Sequence, residues 1–228
     1  MGNALAAAII YGLDMVIIAI MSVGSCYKAY QALMLIAVLQ TASSAMPELF
    51  GERYYTYLLI YIPMLIPVYL TYKRSKFSRS ELGITIKGIH YYLPLGLVAG
   101  AMLGGIEYLI LPPAIYLPYL TDVIPKLVLL VSLLVGFVEE FIFRSMLQTA
   151  LEEQLGITKG LFIAGLLFGL TYSGYGMVEE IIFGLFAGLV LGILFQKTRS
   201  LPLIALAHGA ANITLLIVIP ALLRYLHL

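Results

Sequence analysis

The chain has 228 residues, of which 62% are hydrophobic and only 11% charged, and its mean hydropathy is +1.02. That balance excludes an ordinary soluble globular domain and points to a polytopic membrane protein. The net charge of +1 gives no bulk case for a nucleic-acid partner, and the lone Cys26 excludes an internal disulfide and a cysteine-based zinc site.

Eight helices are predicted, over 3–23, 29–47, 53–72, 88–111, 124–151, 157–173, 177–197 and 201–225. A span needs about 20 mainly apolar residues to cross about 30 Å of hydrocarbon. The amino-terminal stretch has no basic n-region and no small-residue cleavage site, so it reads as a retained span and not as a signal peptide. The second helix is diluted by Gln31, Gln40, Thr41, Ser43 and Ser44, and a re-entrant or interfacial segment is its alternative. The third runs into the main basic cluster, Lys73-Arg74-Ser75-Lys76-Phe77-Ser78-Arg79, with Lys87 beyond it. The positive-inside rule makes this loop cytosolic. Eight spans then put Lys28, Lys159, Lys197 and Arg199 on the same side, giving nine cytosolic basic residues against three outside (Arg53, Lys126, Arg224). No linker divides the chain, so 1–228 is read as a single all-α membrane domain.

Polar residues inside these apolar helices carry the functional signal. Glu139, Glu140 and Arg144 interrupt the fifth helix, and an ionised group at mid-bilayer costs about 2.5–3.5 kcal/mol on insertion scales. Glu140 and Arg144 are i,i+4 and share a helix face, whereas Glu139 is rotated about 100° away. One carboxylate is thereby paired and the other is free for chemistry. His208 and Asn212 are likewise i,i+4 in the last helix. Glu139 lies 13 residues from Glu152, Tyr172 13 from Lys159 and Asn212 13 from Arg199. At about 1.5 Å per residue, each sits about 20 Å from the cytosolic boundary that these charged residues mark, and His208 lies one turn nearer the cytosol. Comparable depth on three helices is what a shared intramembrane cavity requires.

These residues resemble the CPBP family of intramembrane glutamate proteases, which includes the CAAX prenyl endopeptidases and bacteriocin-processing relatives. The family pattern is Glu-Glu-x-x-x-Arg, Phe-x-x-x-His and His-x-x-x-Asn on three helices. The first motif is matched by Glu139-Glu140-Phe-Ile-Phe-Arg144 and the third by His208-Gly-Ala-Ala-Asn212, and the likeness covers about 120–220. The middle motif reads Phe168-Gly-Leu-Thr-Tyr172, with tyrosine where the family has histidine. The resemblance implies that Glu139 activates water and that His208 and Asn212 receive the oxyanion. It also implies that Arg144 holds Glu140, in a site that needs no cofactor or metal and opens towards the cytosol. The implied substrate is a membrane-embedded or lipidated peptide. Tyr172 is a hydrogen-bond donor but a poor base at neutral pH, so as a catalytic residue it orients the water or the substrate carbonyl while Glu139 takes the proton. The same change leaves a second reading open: a proteolytically inactive member that binds a lipid or a partner membrane protein.

The remaining polar residues receive blander readings. Glu179 and Glu180 are expected to be solvated residues at a helix start, where the helix dipole favours acids, with a role at the cavity mouth as the alternative. Asp14 and Glu107 are expected in packing networks. The eight-residue echo between Gly136-Phe-Val-Glu-Glu-Phe-Ile-Phe and Gly176-Met-Val-Glu-Glu-Ile-Ile-Phe is too short for an internal repeat. A zinc site normally takes three protein ligands; the sequence has no His-Glu-x-x-His, and of three histidines only His208 lies at core depth.

Overall fold

The computed structural model describes residues 27–50, 55–110 and 125–226, so the predicted first span with Asp14 lies outside the described residues. Seven helices are found among the described residues, and no strand. They are α1 (Tyr27–Phe50), α2 (Thr56–Arg74), α3 (Ile89–Ile110), α4 (125–155), α5 (Ile157–Thr171), α6 (Val178–Thr198) and α7 (201–225). Every end falls within four residues of its predicted position.

Among the described residues, four segments are long and apolar enough to cross a membrane: Ile89–Ile110, Ile157–Gly174, Val178–Thr198 and Leu201–Tyr225. α4 is a different case, because Glu139, Glu140 and Arg144 occupy its middle. It is also not uniformly α-helical. Its central residues Phe141–Gln148 form a π-helix, all eight of them buried, directly after the two glutamates. Such wide turns recur at functional sites. A second π-helical stretch, Thr214–Val218, lies in α7 just beyond Asn212.

Packing depends on small residues that let helix backbones approach closely. A Cβ on Gly100 of α3 would lie 2.0 Å from the Ala207 carbonyl oxygen of α7, and one on Gly104 would lie 2.2 Å from that of Ala211. Between α5 and α6, a Cβ on Gly188 of α6 would meet the Gly165 carbonyl oxygen of α5 at 3.0 Å. Leu, Phe and Ala side chains fill the spaces between. Phe143, Phe168, Phe195, Leu191 and Leu203 are almost wholly enclosed.

One end of the bundle gathers the charges. Lys28 Nζ lies 2.9 Å from Glu153 and 3.5 Å from Glu81, while Arg199 pairs with Glu152. The loop between α2 and α3 closes onto the start of α7: Leu201 N donates to Gly83 O at 2.8 Å, and Ser200 Oγ donates to Thr85 O at 2.9 Å. The basic cluster, Lys28 and Arg199 therefore share one end.

Candidate active site

α4 supplies Glu139, Glu140 and Arg144, and α7 supplies His208 and Asn212. Gly136 brings the two helices into contact: a Cβ there would sit 2.7 Å from Ala205 O and 3.4 Å from His208 Cβ. A bulkier residue would push the imidazole away from the glutamates.

Glu140 is fully buried and holds two partners. Its Oε1 lies 2.7 Å from His208 Nδ1, and its Oε2 lies 3.1 Å from Arg144 Nε. As the counter-ion of Arg144, Glu140 can only accept, so Nδ1 carries the proton between them. Arg144, itself 1% exposed, also donates through Nη2 to Gly188 O at 3.4 Å. Its guanidinium lies 4.3 Å from the centroid of the Phe168 ring, a cation–π contact. The i,i+4 pair forms as expected from its spacing, and the same carboxylate also orients His208, a contact that spacing along one helix does not reveal.

Glu139 has different neighbours. Its side chain is 17% exposed, against none for Glu140. Tyr61 of α2 donates its phenol proton to Glu139 Oε1, and Glu139 Oε2 lies 3.9 Å from His208 Nε2. His208 is thus held by one glutamate and faces the other.

Tyr172 opens a short 3₁₀ turn, Tyr172–Tyr175, that follows α5. Its ring lies 5.6 Å from Phe168 and 6.1 Å from Phe183, centroid to centroid. Gly184 of α6 leaves space for it, since a Cβ there would meet Tyr172 Cδ2 at 2.7 Å. Tyr172, His208, Asn212, Glu107, Phe168 and Phe183 line one narrow cavity with room for about one water molecule. Tyr172 and Asn212 therefore meet His208 across a common space, while Glu139, which is not part of that lining, faces His208 Nε2 and is held by Tyr61 of α2.

Three residues were not foreseen in these positions. Tyr61 was one tyrosine among 17. Glu107 lines the cavity and is not merely a packing residue. Glu180 corrects a prediction outright: it is fully buried, and neither carboxylate oxygen has a hydrogen-bond partner among the described residues. The reason is rotational. Glu179 faces out, but Glu180 shares the inward face of α6 with Phe183, Gly184 and Ala187. Among the described residues no three His, Cys, Asp or Glu side chains are grouped to hold a metal ion.

Residues 122–214 match the family model described as type II CAAX prenyl endopeptidase Rce1-like. Over this part the chain is similar to that family. The assignment agrees with the CPBP resemblance. The Rce1-like segment contains Glu139, Glu140, Arg144, Tyr172, His208 and Asn212, whereas Tyr61 and Glu107 come from outside it. Comparison with curated proteins gave no match, and comparison with solved structures gave none.

Proposed function

We propose that the protein is an intramembrane endopeptidase that hydrolyses a peptide bond with water activated by Glu139. The observation that carries this reading is the opposed pair, Glu139 Oε2 and His208 Nε2, 3.9 Å apart beside a buried cavity in an Rce1-like segment. That separation is too long for a direct hydrogen bond, and one water can reach both atoms. Glu139 takes the proton as the water attacks the scissile carbonyl. Asn212 and His208 then donate to the oxyanion, a stabilisation worth about 2.7–4 kcal/mol per donor in well-studied sites. Because Nδ1 already gives its proton to Glu140, His208 donates at Nε2 only when doubly protonated. Glu140 and Arg144 hold the imidazole in place. The substrate class is a CAAX-type or related membrane peptide, in keeping with the family description.

The seven described helices, with 3–23 as the first, form eight spans in this reading. The basic end faces the cytosol, and substrate enters from there.

Tyr172 favours a second reading, a non-catalytic member that binds a lipid or a partner membrane protein. Both readings are tested by cleavage of a prenylated CAAX peptide and of a membrane-peptide library in detergent, with a chelator control. Wild-type cleavage that resists the chelator and vanishes in Glu139→Gln is the expected result. Silence of the wild type with activity in Tyr172→His would replace it with a protease scaffold disarmed at one position.

A further inference from the structure

Glu139 needs more than proximity to act as a base. A glutamate side chain turns about three bonds, and a base must present one oxygen to the water in a fixed direction. The π-helical turn begins directly after the two glutamates, and Glu140, not Glu139, takes the contacts to Arg144 and His208. What fixes Glu139 comes from another helix. Tyr61 on α2 is 5% exposed, its ring stacks on Tyr57 with centroids 6.3 Å apart, and its hydroxyl donates to Glu139 Oε1.

We propose that Tyr61 is the positioning residue of Glu139: its phenol clamps Oε1 so that Oε2 and His208 Nε2 bracket the reacting water. The inference rests on the hydrolase reading and adds a residue from outside the Rce1-like segment. Two tyrosines then have separate duties. Tyr172 shapes the cavity wall through Phe168 and Phe183, and Tyr61 aims the base. Protons balance simply: Tyr61 keeps its own throughout, and the proton leaving water goes to Glu139 Oε2 and from there to the departing amine.

The test uses the full chain in detergent with ¹³C-labelled glutamate. Infrared spectra identify the Glu139 carboxyl band as the one lost in Glu139→Gln. Tyr61→Phe removes one buried oxygen and keeps the ring, so folding is preserved, and a melting curve checks it. The expected result is a shifted Glu139 band and a kcat lower by about ten- to a hundredfold, the size of a lost hydrogen bond to a charged group. KM is expected to stay within about twofold, because substrate binding is left alone. An unmoved band overturns the inference, and so does a shifted band with unchanged kcat. If neither the wild type nor Tyr172→His cleaves while the band still shifts in Tyr61→Phe, the hydrolase reading fails and the clamp on Glu139 stands.

Discussion

A turn of about 100° separates Glu139 from Glu140 on α4, and that rotation gives the two carboxylates different partners. Glu140 meets Arg144 and His208 with no exposure, while Glu139 meets Tyr61 and faces His208 Nε2. Glu139→Gln and Glu140→Gln are therefore expected to differ in their consequences. Glu140→Gln leaves the Arg144 guanidinium buried without its counter-charge, and removing one partner of a buried pair typically costs about 3–5 kcal/mol. Thermal unfolding in detergent is expected to show a marked loss for Glu140→Gln and little change for Glu139→Gln. Equal stability of the two variants would contradict this division. The Glu140–Arg144 pair was legible from i,i+4 spacing alone, because one helix fixes both ends. The Glu140–His208 contact was not, since it depends on how closely Gly136 lets α4 approach α7. Glu180 was misjudged because a helix-start position does not say which way a side chain turns.

Helix limits were legible along the described chain because Gly, Pro and charged residues punctuate long apolar runs. The π-helical turns were not, since no residue pattern marks them. The loop between α2 and α3 contains a second device, a capping-box arrangement in Ser78-Arg79-Ser80-Glu81. Ser78 N donates to Glu81 Oε2 at 2.5 Å, and Glu81 N donates to Ser78 Oγ at 3.2 Å. Hydrogen bonds from Ser78, its hydroxyl first and then its backbone, hold the Glu81 carboxyl down to about 2 from an ordinary 4.5, with Lys28 assisting. A lowered folded-state value means that the stabilisation is present above pH about 4.5 and fades as pH falls towards 2. The effect is small, since the Glu81 side chain is 38% exposed and screened by water. The melting difference between wild type and Glu81→Gln is expected to shrink as pH is lowered through this window. A difference that stays constant or grows towards low pH would refute the assignment.

Across the whole molecule, the bundle brings residues from α2, α3, α4, α6 and α7 and from the turn after α5 to one buried place, and gathers Lys28, the α2–α3 loop and Arg199 at one end. Comparable depth of Glu139, Tyr172 and Asn212 on three helices predicts one shared cavity. Tyr172 and Asn212 line a cavity with His208, whereas Glu139 is not part of that lining and faces His208 Nε2 at 3.9 Å. The contributions of Tyr61 and Glu107 were hidden, because helix-to-helix adjacency is not written in one sequence. In the proposed orientation, a cysteine placed at Ser80 reacts with a membrane-impermeant reagent from the cytosolic face only; labelling from the outer face would invert the topology. In the proposed reaction Glu139 delivers water to a peptide bond without a metal. The most direct measurement is incorporation of ¹⁸O from labelled water into the new carboxyl terminus of a cleaved membrane peptide, with a chelator present. Label is expected in the wild-type product, and none is expected from Glu139→Gln. Undiminished labelling by Glu139→Gln, or loss of wild-type labelling on chelation, would contradict it.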